Sequence, residues 1–302
     1  MRLASFNVQN MRLRGPSLDG ARDRDLPADL GSAAKTLDSY DRDLTADVLA
    51  EADADVVALQ EVFDQATLDH FHDSLLAPRI TRPYPYRYCL PGNDGRGLDI
   101  AVMSRQAPLA ITSHADLTPA RAGLPPANVL GPEIPIFRRD CLEVTLSALT
   151  LFICHFKAPY PENARTSEIR HFEALAVRQI IESRFADTDS AMWLVLGDLN
   201  EGRSGHNNIA PLRGRFSTDL MARLPTHERW SYYGNEGNFY AAPDVMLASP
   251  ALAARCPDAV PRLIRLGLGY EATRHRGPRL DTVGKHRPHA SDHAAVVIDL
   301  PL

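Results

Sequence analysis

Polar side chains able to do chemistry stand at five places where apolar runs begin or end. Asn7 closes "RLASF", Glu61 follows "DVVALQ", and His155 ends "LTLFIC"; Asp198 and Asn200 lie in "LVLGDLNE", and Asp292 with His293 opens "AAVVIDL". Taken singly, each has an ordinary explanation, since Asn and Asp at strand ends satisfy nearby backbone groups in turns. Five such ends together suggest a shared site. A hard divalent cation takes oxygen ligands, and Mg²⁺ is commonly held by one or two carboxylates while keeping several waters. Glu61, Asp292 and the carboxamide of Asn7 suit that task. An imidazole beside such a centre activates water or stabilises a phosphorane-like transition state, and His155 and His293 are the candidates. Other chemistries lack their signatures. No His or Cys cluster has zinc spacing, and neither G-x-x-x-x-G-K-[ST], G-x-G-x-x-G nor G-x-S-x-G occurs. Metal-assisted hydrolysis remains.

The elements that must carry these groups can be read from periodicity. "RLASFNV" from Arg2, "DVVAL" from Asp55, "LDIAVMS" from Leu98, "CLEVTL" from Cys141, "LTLFICHF" from Leu149, "MWLVLG" from Met192, "PDVMLAS" from Pro243 and "AAVVIDL" from Ala294 read as strands. "LTADVLAEA", Asp64–Leu76 and Ala164–Phe185 read as helices, the last with Ile169, Phe172, Leu175, Ala176 and Ile180 at helical spacing. Arg14–Ala34 is rich in Gly, Pro and Asp, and Asp116–Pro135 holds five prolines, so both read as loops. Strand patterns of one type resume on either side of each. The expectation is one domain over residues 1–302, with mixed sheets face to face and helices packed outside.

Composition limits the function classes. Apolar residues form 44% and charged residues 24% of the 302, which is ordinary globular usage and excludes a fibrous or disordered chain. The formal charge of -5 gives no general attraction to nucleic acid or anionic lipid, so phosphate binding has to be local. Cys89, Cys141, Cys154 and Cys256 show no C-x-x-C spacing and are expected as buried thiols. No apolar run approaches the length needed to cross a bilayer, and the opening residues lack an apolar leader core. A soluble, cytoplasmic protein with no obligate protein partner is expected.

Taken in order, "SFNVQNM", "VVALQEV", "GRGLDIAVMSR", "CHFKA", "LVLGDLNE", "PDVMLASP" and "SDHAAVV" resemble the motifs of the endonuclease/exonuclease/phosphatase superfamily and span nearly the whole chain. The resemblance implies the deoxyribonuclease I-like α/β fold, a four-layered sandwich of two face-to-face mixed β-sheets flanked by helices. It also implies a Mg²⁺- or Mn²⁺-dependent phosphodiester hydrolase, with Asn7, Glu61 and Asp292 at the metal. Asp198 and Asn200 resemble the pair that positions water and scissile phosphate. His293 resembles the imidazole that acts as base or phosphate-oxygen stabiliser, oriented by Asp244, and His155 resembles the second imidazole, oriented by Asp99. Which group takes the proton stays open, Asp198 included.

Departures and additions bear on the substrate. Gly97 or Leu98 stands where related nucleases carry a tyrosine, and "CHFKA" has a histidine that abasic-site endonucleases lack, which disfavours abasic-site repair. Arg138, Arg139 and Lys157 are candidates to hold phosphate. Seven Lys or Arg residues between Arg262 and Arg287 read either as a solvated basic loop or as a grip on a phosphate-rich substrate. Five aromatics in "ERWSYYGNEGNFYAAPD" read first as packing and second as a platform for stacked bases. A nuclease acting on nucleic acid is the leading expectation. A phosphomonoesterase or a lipid or inositol phosphate hydrolase is the alternative, and a non-catalytic binding module ranks below both.

Overall fold

A computed structural model describes residues 1–23, 26–125, 129–201, 207–234 and 239–302. Parts of the Arg14–Ala34, proline-rich and aromatic segments therefore lie outside the described residues. Two six-stranded sheets form the centre. The first runs Arg262–Ile264, Ala295–Asp299, Arg2–Met11, Val56–Val62, Asp99–Ser104, Tyr86–Cys89, and the second runs Thr218–Asp219, Asp244–Ala248, Trp193–Asp198, Thr150–His155, Cys141–Thr145, Ala110–Ser113. Each sheet has one parallel pair at its middle, Arg2–Met11 with Val56–Val62 and Trp193–Asp198 with Thr150–His155, and antiparallel partners outward. The parallel pairs matter because their carboxyl ends point the same way, so the residues that end them gather at one edge.

The interior between the sheets explains why these strands are apolar throughout. Leu3, Val56, Ile100 and Val102 from the first sheet pack with Leu142, Leu151, Leu194 and Met246 from the second in one buried cluster. Outer faces are covered as well: Leu44, Val48 and Leu49 of the helix Asp38–Ala52 close over the first sheet, and Phe172, Val177 and Ile180 of the helix Ala164–Arg184 over the second. A strand covered on both faces loses the in-out alternation and reads as a continuous apolar run. Burying each large aliphatic side chain is worth roughly 1.5–3 kcal/mol.

All eight expected strands form, and the first continues to Met11 through an irregularity in its pairing after Asn7. The helix begun at "LTADVLAEA" starts six residues earlier, at Asp38, because Asp41 and Arg42 are held inside by tertiary partners. The strands Tyr86–Cys89, Ala110–Ser113 and Arg262–Ile264 at the sheet edges were not expected; they are short and carry too few apolar residues to stand out. The two expected loops contain the short helices Pro27–Leu30, Ser32–Lys35 and Pro119–Ala122, two of which start on a proline at the first turn. Among the described residues no helix is long and apolar enough to cross a membrane. All four cysteines are buried free thiols.

Candidate active site

Strand register builds the site. His155, Asp198 and Asp244 are direct partners across three adjacent strands of the second sheet, and Asn7 pairs with Gln60, next to Glu61, in the first. The backbone is distorted where these groups leave the sheets. Glu61 has φ 68 within a bulge opposite Asp99, Gln9 and Asn10 have φ 50 and 57, and Asn200 has φ 49. Left-handed backbone at non-glycine residues costs on the order of 1–3 kcal/mol each and persists where surroundings over-determine it, typically at functional sites. Gly197 has φ 128 and lies so close to the neighbouring strand that an added Cβ would stand 2.0 Å from the Cys154 carbonyl oxygen. Only glycine lets Asp198 exit at that point.

The two sheets meet on one oxygen. Asp198 Oδ2 accepts from Asn7 Nδ2 at 3.0 Å and lies 3.6 Å from His293 Nε2 and 3.7 Å from His155 Nε2. Its other oxygen accepts from the Asn200 backbone N–H at 2.9 Å, so the ordinary turn role and the site role occupy different oxygens of one side chain. Asn200 Nδ2 donates to the Phe156 carbonyl at 3.1 Å. His293 Nδ1 is 2.8 Å from Asp244 Oδ2, and Ser231 Oγ donates to that same oxygen at 2.6 Å. Asn7, His155, Asp198, Asp244 and His293 are all buried.

Electrostatics separates the two imidazoles. Burial disfavours the charge on His293, but Asp244 and Asp198 outweigh it and push its pKa up to about 10. His155 moves the other way, well below the ordinary range, because burial and the cations Arg139, His293 and Arg96 oppose protonation. One imidazole is charged at neutral pH and the other is neutral. Burial raises the Asp198 carboxyl against the pull of His293, and Asp244 adds to the rise.

The donor set fits a hard cation. Asn10 N–H donates to Glu61 Oε2 at 2.8 Å and Asn7 Nδ2 reaches Glu61 Oε1 at 3.3 Å, while no described lysine or arginine pairs with Glu61 or Asp292. Burial pushes Asp292 up to about 7, and Glu61 and Asp23 add to that rise while His293 opposes it. A buried carboxyl raised by neighbouring carboxylates, with no fixed cation beside it, is an oxygen ligand that a divalent ion neutralises. Asn7 differs from expectation in detail. Its oxygen accepts from the Gln9 backbone and its nitrogen faces Glu61 and Asp198, so it bridges these carboxylates.

Four other expectations require correction. His155 Nδ1 and Asp99 Oδ1 are both buried without a hydrogen-bond partner, so the expected Asp99–His155 pair is not formed; burial instead pushes Asp99 up to about 6. Arg139 is buried and spent on Asp94 and the Phe156 carbonyl, which places it behind the site as support. Lys157 Nζ donates to the carbonyls of Ala158 and Tyr160 in its own loop. The basic segment is mostly structural: Arg262, Arg265 and Arg279 donate to backbone carbonyls, Arg274 lies over the Tyr240 ring, and Arg287 is buried against Asp38 and Asp41. Arg138 is partly exposed, and its backbone N–H is held by Glu173.

Of the aromatics, Trp230, Tyr233 and Tyr240 pack on one another, as the packing reading expected, but Tyr232 sets its ring 4.9 Å from that of His293. Residues 235–238 lie outside the described residues. Sequence reasoning missed Ser231, Ser291, Gln9 and Glu173. Ser291 Oγ donates to the Asn7 carbonyl and accepts from the His293 N–H, and Gln9 Oε1 accepts from the Asp292 N–H. For the two serines the signal was a small hydroxyl immediately before Tyr232 and another immediately before Asp292. Glu173 had a stronger signal, as an acid on the apolar stripe of its helix, where it accepts from the backbone of Arg138 and Lys157.

A groove of about 1150 Å³ opens beside Asn10; its charged lining is Arg12, Arg14, Arg22, Lys35, Arg42 and Arg96 against Asp19, Asp38 and Asp43, a cationic excess. Arg14 and Arg22 pair with Asp19 and Asp38, whereas Arg12 lies over the Phe63 ring.

The sequence profile described as "Endonuclease/Exonuclease/phosphatase family" matches residues 4–293. Solved structures agree with that fold. An endonuclease/exonuclease/phosphatase family protein from Leptotrichia buccalis C-1013-b superposes with a TM-score of 0.59 at 14% identity, covering 100% of both chains. An AP endonuclease from Archaeoglobus fulgidus gives 0.59 at 12% identity, with 100% of each chain covered. D. rerio TDP2, complexed with single-strand DNA product, gives 0.56 at 19% identity over 99% of this chain and 97% of its own. No curated protein matches the chain.

Proposed function

Because this chain belongs to the endonuclease/exonuclease/phosphatase family, whose members hydrolyse phosphoesters, we propose that it is a Mg²⁺- or Mn²⁺-dependent phosphodiesterase acting on a nucleic acid strand. The observation that carries this reading is the convergence of both sheets on Asp198 Oδ2, with Asn7, His155 and His293 around it. Glu61 and Asp292, with Asn7 orienting the former, would hold a divalent cation, which would supply charge neutralisation at the phosphate and lower the pKa of a water there.

The chain's own groups divide the proton work. His293 enters as an imidazolium, fixed at Nδ1 by Asp244, and its Nε2–H donates to a phosphate oxygen as charge develops there. Asp198, raised by burial, accepts the proton of the attacking water. His155 stays neutral and aids the same oxygens without adding charge. Asn200 completes the cradle, locked to Asp198 and Phe156.

An extended polyanion is favoured by the basic groove beside Asn10. Residues 1–302 are read as one working unit, and the four unpaired thiols suit a reducing compartment such as the cytoplasm. The test is hydrolysis of bis-p-nitrophenyl phosphate with Mg²⁺ or Mn²⁺, abolished by EDTA and by His293→Ala. Plasmid and single-stranded DNA, RNA, inositol phosphates and sphingomyelin then sort the substrate. Inert nucleic acids beside an active inositol phosphate or lipid turn the reading to that alternative, and no turnover of any phosphoester leaves a binding module.

A further inference from the structure

The segment between the strands Arg262–Ile264 and Ala295–Asp299 carries a second polar cluster that the hydrolytic reading does not use. One donor atom from each of Glu271, His286 and His289 lies within 4.8 Å of the other two. His286 Nδ1 is 2.6 Å from Glu271 Oε1, and its Nε2 is 3.0 Å from Oδ2 of the buried Asp29. His289 Nε2 is 2.9 Å from the Ala21 carbonyl, an acceptor only, so that nitrogen carries the hydrogen. His286 thus commits both ring nitrogens to carboxylates, and His289 commits Nε2 to the Ala21 carbonyl and to Gln9 Oε1 at 3.1 Å. Proteins fix metal-binding histidines in this way, with a carboxylate or carbonyl on the far nitrogen setting tautomer and ring angle.

The surroundings are built to hold that geometry. Glu271 N–H donates to the Lys285 carbonyl and Tyr270 N–H to the Gly284 carbonyl, pinning the two arms of the segment against each other. His289 N–H is held by Asp41 Oδ1 at 3.0 Å. A cavity of about 20 Å³ is lined by Glu271, His286 and His289 together with Asp292. That is room for a single water or ion.

We propose that Glu271, His286 and His289 bind one transition-metal ion of the Zn²⁺ class, at a site separate from the Glu61–Asp292 pair. Two imidazole nitrogens and one carboxylate suit Zn²⁺ or Co²⁺, whereas Mg²⁺ prefers an all-oxygen shell. Without metal, a proton shared by His286 and Glu271 holds the pair together; on binding, the ion replaces that proton, which leaves to solvent. The ion cross-links the segment that carries Asp292 and His293, three and four residues beyond His289, and Asp292 also lines the cavity.

The proposal stands apart from the hydrolase reading and is tested in a Glu61→Gln background with excess Mg²⁺. Co²⁺ is titrated while visible absorption is followed, since nitrogen-containing low-coordinate cobalt absorbs far more strongly than an octahedral oxygen shell. The expected result is a strong band saturating at one equivalent, displaced by Zn²⁺, lost in His289→Ala and weakened roughly 10–100-fold in Asp29→Asn. Circular dichroism checks folding, and Glu271→Gln serves if His289→Ala does not fold. No strong band, or a band that survives Glu271→Gln and His289→Ala unchanged, overturns the site and leaves a proton-bridged cluster.

Discussion

Asp244 and His293 lie 49 residues apart in the chain, yet Asp244 Oδ2 meets His293 Nδ1 at 2.8 Å in a buried contact that Ser231 completes from the other side. This contact is the chief reason His293 is charged at neutral pH, and it can be tested through the pH dependence of catalysis.

Asp244→Asn removes that charge while keeping the shape. With the anchor gone, the His293 pKa falls from about 10 toward the ordinary 6.5, so the alkaline limb of the kcat/KM profile moves to lower pH. The rate at neutral pH drops on the order of 10²–10⁴-fold, the usual worth of a positioned proton donor. A profile whose alkaline limb stays in place shows that His293 does not act as the donor.

Glu61→Gln separates metal binding from folding. Its backbone geometry is retained, so thermal melting should stay within a few degrees of the parent. Affinity for Mn²⁺, measured by calorimetry, should fall at least about tenfold, a loss of roughly 1.4 kcal/mol. Unchanged affinity assigns the cation to other ligands.

Gly197→Ala probes the close approach of the Asp198 and His155 strands. The added methyl would stand 2.0 Å from the Cys154 carbonyl, at a φ of 128 that L residues avoid. Strain and overpacking together cost about 3 kcal/mol or more, read from urea unfolding, and the flanking strands shift. A stability loss below about 1 kcal/mol contradicts that geometry.

His286 gives the metal-free protein a signature in stability. Hydrogen bonding to Glu271 raises its pKa to about 9 against the opposing effect of burial, and Asp29 adds to the rise. A folded-state pKa above the ordinary 6.5 means that the stabilisation is complete below pH 6.5 and is lost as pH rises through about 9. Urea midpoints should therefore decline across that window in the parent and change less in His286→Gln. Parallel pH curves for the two proteins remove His286 as the cause.

Much of the fold is written in short stretches. A strand covered on both faces has to be apolar along its length, which is why "LVLG" and "LFIC" are visible without coordinates and why the polar residues ending them stand out. The capped start of the helix at Ala164 is equally local, with Asn163 and Thr166 satisfying each other's backbone. Edge strands such as Ala110–Ser113 escape because one side faces solvent and propensity there is weak.

By itself, then, the sequence determined which strand ends bear carboxylates, carboxamides and imidazoles, because periodicity is a property of neighbours along the chain. Only the tertiary structure decided where the long cationic side chains go. Arg139, Arg279 and Arg287 looked alike as candidates for phosphate, but each found buried carbonyls or carboxylates that satisfy a guanidinium better than solvent does. The tertiary structure also decided His155, which makes no hydrogen bond to its expected partner Asp99 on the opposite sheet. Hydrogen-bond partners are chosen over distances of a few ångströms in space, and those distances are fixed by how two sheets pack, which no local pattern encodes.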